Sequence, residues 1–301
     1  MSTLTLTRGP LTLTLGRGGG VVQGLRWGDQ PLLWEGGERS WDGRQGRRDP
    51  ATPLACSARY SGAYPLLPYP GRLQDGALRF QGQAWALPAH PLTAPHALHG
   101  IGWERTWAVT AEGPNTLTLA LRHAGDVHWP FPFTATQTFI LTSQGLTLEL
   151  ALRNDHGGPA PAQLGWHPYF PSRGATLETR FHHRWDPDHR DLPQRRTPIA
   201  GPQRWAVKDT DWDHCFEGPR QARLNWPTHG LRLAWSSTPR SPFRGAVLYL
   251  PRNADFFCCE PVTACPNALA SAEPGARGVV TLAPGERLRL SLALQAVGLA
   301  P

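Results

Sequence analysis

Lysine is almost missing from this 301-residue chain; Lys208 is the single one. The formal net charge of +7 therefore rests on arginine. Those arginines are scattered, apart from short clusters at Arg44 to Arg48 and at Arg195-Arg196. A basic chain invites a nucleic-acid reading, but backbone-tracking proteins gather their cations on one face. The arginine richness reads instead as a compositional bias, and no nucleic-acid partner is expected. Cysteine is also sparse: five residues, an odd number, with no Cys-x-x-Cys pair. A disulfide framework is not expected in a chain this long. Cys258, Cys259 and Cys265 with His214 and Cys215 match no structural zinc spacing. They read as buried reduced thiols, and no metal or cofactor is expected. Long apolar runs are absent too, so no transmembrane helix and no membrane partner are expected. The segment Met1 to Arg8 alternates polar and apolar residues, without a basic start or an apolar block. It reads as a strand rather than a secretion signal, which makes the cytoplasm the expected compartment.

Glycine and proline are plentiful, 32 and 31 residues, and they cut the chain into short pieces. Between the breaks, apolar residues alternate with period two. Thr116 to Arg122, Leu146 to Arg153 and Leu288 to Leu294 show it most plainly, with leucine in place of the usual β-branched residues. Turn sequences at Gln81-Gly82-Gln83, Ser143-Gln144-Gly145 and Pro284-Gly285-Glu286 predict hairpins, the last joining Val279 to Leu282 with the final strand. No stretch of a dozen residues carries a helical stripe. The fold class is mainly β and largely antiparallel, in one continuous domain over 1–301. The stretch His182 to Gly201, rich in His, Arg, Asp and Pro, reads as a long surface loop or an exposed hairpin. Gly16 to Gly20 and Gly36 to Pro50 read as loops. Thirteen tryptophans are many for this length. Most belong to packing, and two or three are expected to line a site as flat platforms.

Two segments carry acid–base chemistry. Leu164-Gly165-Trp166-His167-Pro168-Tyr169-Phe170 sets a histidine among aromatics, and Cys259-Glu260-Pro261-Val262-Thr263 sets a lone carboxylate after an apolar stretch. An imidazole that gives a proton and a carboxylate that takes one are the minimal acid–base pair. Both read as lying where the chain leaves a strand, a usual position for working residues. Their reference pKa values, about 6.5 and 4.3, place a proton on some of the imidazole and none on the carboxylate near neutral pH. Arg72 after Tyr69-Pro70-Gly71, His99 in His96-Ala97-Leu98-His99-Gly100, and Asp213 in Asp211-Trp212-Asp213-His214-Cys215-Phe216 are further candidates. His96 competes with His99 for its role.

Taken in order, these segments resemble the aldose 1-epimerase (galactose mutarotase) family over most of the chain. The pieces that carry the resemblance are Gly165-Trp166-His167-Pro168-Tyr169-Phe170 and Glu260-Pro261-Val262-Thr263 with Pro266-Asn267-Ala268 after it. The resemblance implies a large antiparallel β-supersandwich and interconversion of the α and β anomers of a free aldose. It implies Glu260 as base on the C1 hydroxyl and His167 as acid toward the ring oxygen, with Arg72, His99 and Asp213 holding the sugar. It implies a small-molecule sugar as partner, no cofactor, and a monomer or homodimer. One departure stands out: Gly71 occupies the place before the arginine where the family usually has asparagine.

Other readings remain. An epimerase of a phosphorylated aldose, such as a hexose 6-phosphate, suits the arginines. A non-catalytic sugar-binding relative would keep aromatic walls without a working acid or base. A glycoside hydrolase needs two carboxylates, for which Asp213 and Glu260 are the pair available.

Overall fold

The computed structural model describes residues 3–36 and 58–299. Alternation decides the first layer. In Phe133–Leu141, buried and half-buried positions alternate without a break, and Leu117, Leu119 and Leu121 or Leu288, Leu290, Leu292 and Leu294 repeat the pattern in neighbouring strands. Nine strands form this sheet, in the order Ala108–Gly113, Thr116–His123, Phe133–Leu141, Gly145–Asn154, Arg287–Val297, Gly230–Thr238, Gln221–Asn225, Thr176–Thr179 and Gln203–Ala206. Its apolar face packs against a second, eleven-stranded sheet, and one core cluster holds residues of both. All strand pairs in the two sheets are antiparallel. The expected mainly β, supersandwich architecture is what the chain adopts. Three-residue 3-10 turns occur at Gln74–Gly76, Gly102–Glu104, Val207–Asp209 and Ala268–Ala270.

The larger sheet runs in the order Leu4–Arg8, Leu11–Gly16, Val21–Trp27, Ala63–Leu66, Gly165–Pro171, Phe256–Val262, Gly245–Leu250, Trp212–Glu217, His183–Pro187 and Pro193–Pro198, with Gln30–Pro31 beside Val21–Trp27. Its central strands are covered on both faces. Phe170, Phe257, Cys259 and Leu248 enter the main core, whereas Tyr169, Phe256, Cys258 and Val247 form a second cluster on the opposite face. All seven residues of Phe256–Val262 are buried. A strand buried on both sides shows no alternation of polar and apolar residues.

The turn at Gln81-Gly82 joins Ala77–Phe80 to Gln83–Ala86, and Ser143-Gln144 joins Phe133–Leu141 to Gly145–Asn154, as expected. The turn at Pro284-Gly285-Glu286 does not make a hairpin. Val280–Leu282 pairs with Ala160–Ala162 in a separate ribbon, and Arg287–Val297 enters the nine-stranded sheet. Gly285 donates its N–H to the Asn154 carbonyl, so this turn is a corner between sheets. His182 to Gly201 resolves into a hairpin of His183–Pro187 and Pro193–Pro198 at the sheet edge. Apart from Gly36, the Gly36 to Pro50 stretch lies outside the described residues, as does Cys56. No helix among the described residues is long and apolar enough to cross a membrane.

Candidate active site

His167 and Glu260 lie in mid-strand, not where the strands end. The strands Gly165–Pro171 and Phe256–Val262 pair so that Gly165 faces Val262 and Tyr169 faces Cys258, a register that sets His167 opposite Glu260. Each is followed by a proline, and the recorded ladder skips the positions between, where Pro168 and Pro261 have no N–H to give. Both prolines are tolerated inside these central strands. The same row continues across the sheet through Tyr64, His167, Glu260, Val247, Cys215 and Trp185. Side chains on one cross-strand row share a face. That row floors a cleft of about 220 Å³.

His167 Nε2 lies 3.3 Å from Glu260 Oε1, and both residues are buried. The imidazole packs on Tyr64 and Tyr169, with ring centroids 4.6 and 4.8 Å away and planes tilted by 25° and 21°, and the two tyrosine rings also meet each other at 6.1 Å. Trp103 stacks on the far side of Tyr64 at 5.2 Å. With His99 edge-on to the imidazole at 5.4 Å, these rings form one packed cluster. Its Nδ1 has no hydrogen-bond partner among the described residues.

The walls come from elsewhere in the chain. Arg72–Leu73 and Ala97–Leu98 pair as a short ribbon, anchored where Ile101 and Gly102 donate their N–H groups to the Leu67 carbonyl. Gly71 and His99 are tied twice. The His99 N–H donates to the Gly71 carbonyl at 2.9 Å, and the Gly71 N–H donates to His99 Nδ1 at 3.0 Å. Because Nδ1 accepts, the neutral ring carries its proton on Nε2, the other nitrogen. Arg72 Nη1 donates to Asp213 Oδ2 at 3.0 Å, and its Nη2 lies 3.3 Å from Asp191 Oδ2. Asp213 sits one row along the floor, in register with Tyr249, Cys258 and Tyr169.

Burial governs the electrostatics. Desolvation pushes the Glu260 carboxyl well above the usual carboxylate range; the Asp213 charge adds to the rise and the Arg72 charge opposes it. Desolvation drives the His167 imidazole down to about 3, the residue's own backbone partly offsets this, and the Arg59 charge reinforces it. His99 is lowered as well, by burial and then by His167 and Arg72. Burial therefore favours the neutral form of each group and draws the proton of the pair toward Glu260. Reference values for solvated groups placed it on His167, and they fail because neither group is solvated. His167, Cys258 and Glu260 also bring three donor atoms within 4.8 Å of one another, a set of donor types that could hold a soft divalent cation.

A sequence profile of the aldose 1-epimerase family matches residues 48–295. The chain belongs to the aldose 1-epimerase family. It is similar over 313 aligned residues, at 28% identity, to the uncharacterized protein YphB of Escherichia coli K12, covering 98% of this chain and 99% of that one. The galactose mutarotase-like protein of Clostridium acetobutylicum superposes with a TM-score of 0.83 at 16% identity, covering 99% and 95% of the two chains. The aldose epimerase homologue of C. elegans does so with 0.77 at 16% identity, covering 99% of each. At such identities the two structures speak for the fold.

Within this epimerase-family cleft, Arg72, His99, His167, Asp213 and Glu260 all line one cavity. His96 does not; it is buried below the ribbon, where its Nδ1 accepts the Asp75 N–H at 3.0 Å. Gly71 has a local reason: its φ is +70°, and a Cβ there would lie 2.5 Å from the Cβ of Pro266. Of the tryptophans among the described residues, Trp103 alone lines this cavity, against the two or three expected. Trp107 is buried and donates to the Gly102 carbonyl. Tyrosines took that place. Tyr64 and Tyr249 line the cleft and Tyr169 backs His167, although sequence reasoning gave none of them a role. The Asp191 at the hairpin tip was missed as well. Among the described residues, the cysteines set aside as thiols are free and buried.

Proposed function

We propose that this protein is a cofactor-independent aldose 1-epimerase, with Glu260 and His167 as its acid–base pair. The observation that carries the reading is the 3.3 Å approach of His167 Nε2 to Glu260 Oε1 on the floor of the cleft, with Arg72, His99 and Asp213 around them. Mutarotation removes a proton from the C1 hydroxyl and delivers one to the ring oxygen. Glu260 serves the first oxygen and His167 the second. Opening starts once the proton of the pair has passed from Glu260 to His167: the C1 hydroxyl proton then moves to Glu260 and the imidazolium proton to the ring oxygen as the bond between C1 and the ring oxygen breaks. That leaves a glutamic acid beside a neutral imidazole, the state that burial favours here. After the C1–C2 bond turns, closure runs the same transfers backwards on the other face of the carbonyl. Arg72 opposes the rise of Glu260 and so favours its ionised form at the start of each opening.

Roles in substrate binding follow from donor and acceptor type. His99 presents an N–H, Arg72 presents cationic donors and Asp213 accepts, a complementary set for sugar hydroxyls and the ring-oxygen region. Tyr249, half-buried where it lines the cleft, supplies apolar area for a sugar face. The test is anomer exchange of glucose and galactose, followed by optical rotation of freshly dissolved α-sugar. Acceleration by the wild type is expected. Glu260→Gln and His167→Asn each should lose about 100-fold or more in kcat, the scale of one positioned acid or base, while circular dichroism stays native. Sugar bound without acceleration, or release of a glycosidic bond, would overturn the reading.

A further inference from the structure

Arg72 is shared between two carboxylates, and only one of them belongs to the sheet floor. The second, Asp191, comes from the tip of the His183–Pro198 hairpin and lines the cleft with Pro193. This tip is held rigidly. Asp188 Oδ1 accepts the N–H groups of Arg190 and Leu192, the Asp188 N–H donates to the Leu192 carbonyl, and Leu192 is buried. Arg190 pairs with Asp75 at 3.4 Å on the ribbon side. Arg277 donates to the Pro193 carbonyl at 3.4 Å while its guanidinium lies 4.5 Å from the Trp185 ring. Asp191 itself has a φ of +60°, which turns the chain so that its carboxylate reaches Arg72.

We infer that Asp191 is a specificity-determining residue that selects uncharged aldoses and rejects phosphorylated ones. The inference rests on the epimerase reading and narrows its substrate class. A phosphate would need Arg72 as its partner on this side of the cleft, and that guanidinium already faces Asp213 at 3.0 Å and Asp191 at 3.3 Å. Two fixed negative charges around one cation repel a dianion, whereas a neutral hydroxyl can donate to either carboxylate. Arg59 also lines the cleft, but its field falls on Tyr64, His99 and His167 at the catalytic end. Asp191 is well exposed, so its repulsion is screened and moderate in size.

The experiment measures anomer exchange by magnetisation-transfer NMR with glucose, galactose and their 6-phosphates. Asp191→Asn keeps the side-chain shape, and asparagine is among the residues that best accept a positive φ. The wild type should favour the free sugars. In Asp191→Asn the ratio of kcat/KM for phosphorylated over free sugar should rise about tenfold at low salt, the scale of one screened charge contact. That rise should shrink as salt is added. An unchanged ratio, an equal loss on both sugars, or a wild-type preference for the phosphorylated sugar would each overturn the inference. Failure of the wild type on every sugar overturns the epimerase reading itself, before the variant is needed.

Discussion

At the residue scale, the site works by keeping two titratable groups out of water and letting charged neighbours set where their proton rests. Asp213 raises Glu260 and Arg72 lowers it. Asp213→Asn removes a raising charge and frees Arg72, so the pKa of Glu260 should fall. Arg72→Gln removes the lowering charge, so it should rise. If loss of the Glu260 proton from the free enzyme ends activity at high pH, the alkaline limb of kcat/KM should move down in Asp213→Asn and up in Arg72→Gln. Shifts in one common direction would remove these two residues from the electrostatics of Glu260. Both variants should also weaken sugar binding. The candidates themselves were legible in the sequence because His-Pro-Tyr-Phe and Glu-Pro-x-Thr are distinctive spellings. Their protonation was not, because it depends on burial that no local pattern reports.

At the element scale, the strands supply rigidity and the ribbon supplies fit. Gly100 follows His99, both with positive φ, and a Cβ on Gly100 would lie 2.2 Å from the Leu67 carbonyl oxygen. Gly100→Ala therefore has to displace the ribbon that carries Arg72 and His99. A loss of about 1–3 kcal/mol in stability is expected from strain of this kind, with KM raised more than kcat is lowered. Thermal melting and steady-state kinetics together check it; an unchanged KM would show that the ribbon does not set the sugar's position. Sequence periodicity was a good guide where one face meets the core, as in Thr116–His123 and Phe133–Leu141. It was a poor guide in Phe256–Val262, which is buried on both faces and carries a proline. The turn before Arg287 has the composition of a hairpin but bridges two sheets, because pairing partners are chosen by the whole fold.

For the whole molecule, the burial of the proposed acid–base pair has a cost in stability. The folded pKa of Glu260 lies above its unfolded value, so the native state binds more protons and stability falls as pH rises from about 4.5 toward that raised value. His167 has the opposite sign. Its folded pKa is about 3 against a reference of 6.5, so its contribution is present above 6.5 and is lost as pH falls toward 3. Glu260→Gln should therefore melt higher than the wild type at pH 8, by an amount that narrows toward pH 5. His167→Asn should lessen the acid sensitivity of the melting temperature. These effects are on the order of a few kcal/mol. A Glu260→Gln protein that melts lower at every pH would mean that the carboxyl is a structural support and not a strained working group. The sequence by itself determined the β class and brought forward five residues that line one cleft, because alternation and short motifs are local properties of the chain. Only the tertiary structure decided which strands are neighbours, that Tyr64 and Tyr169 pack on the imidazole, and that Asp191 reaches Arg72. Those facts join residues more than a hundred positions apart in several cases, through register and burial that form only when the two sheets close on their shared core.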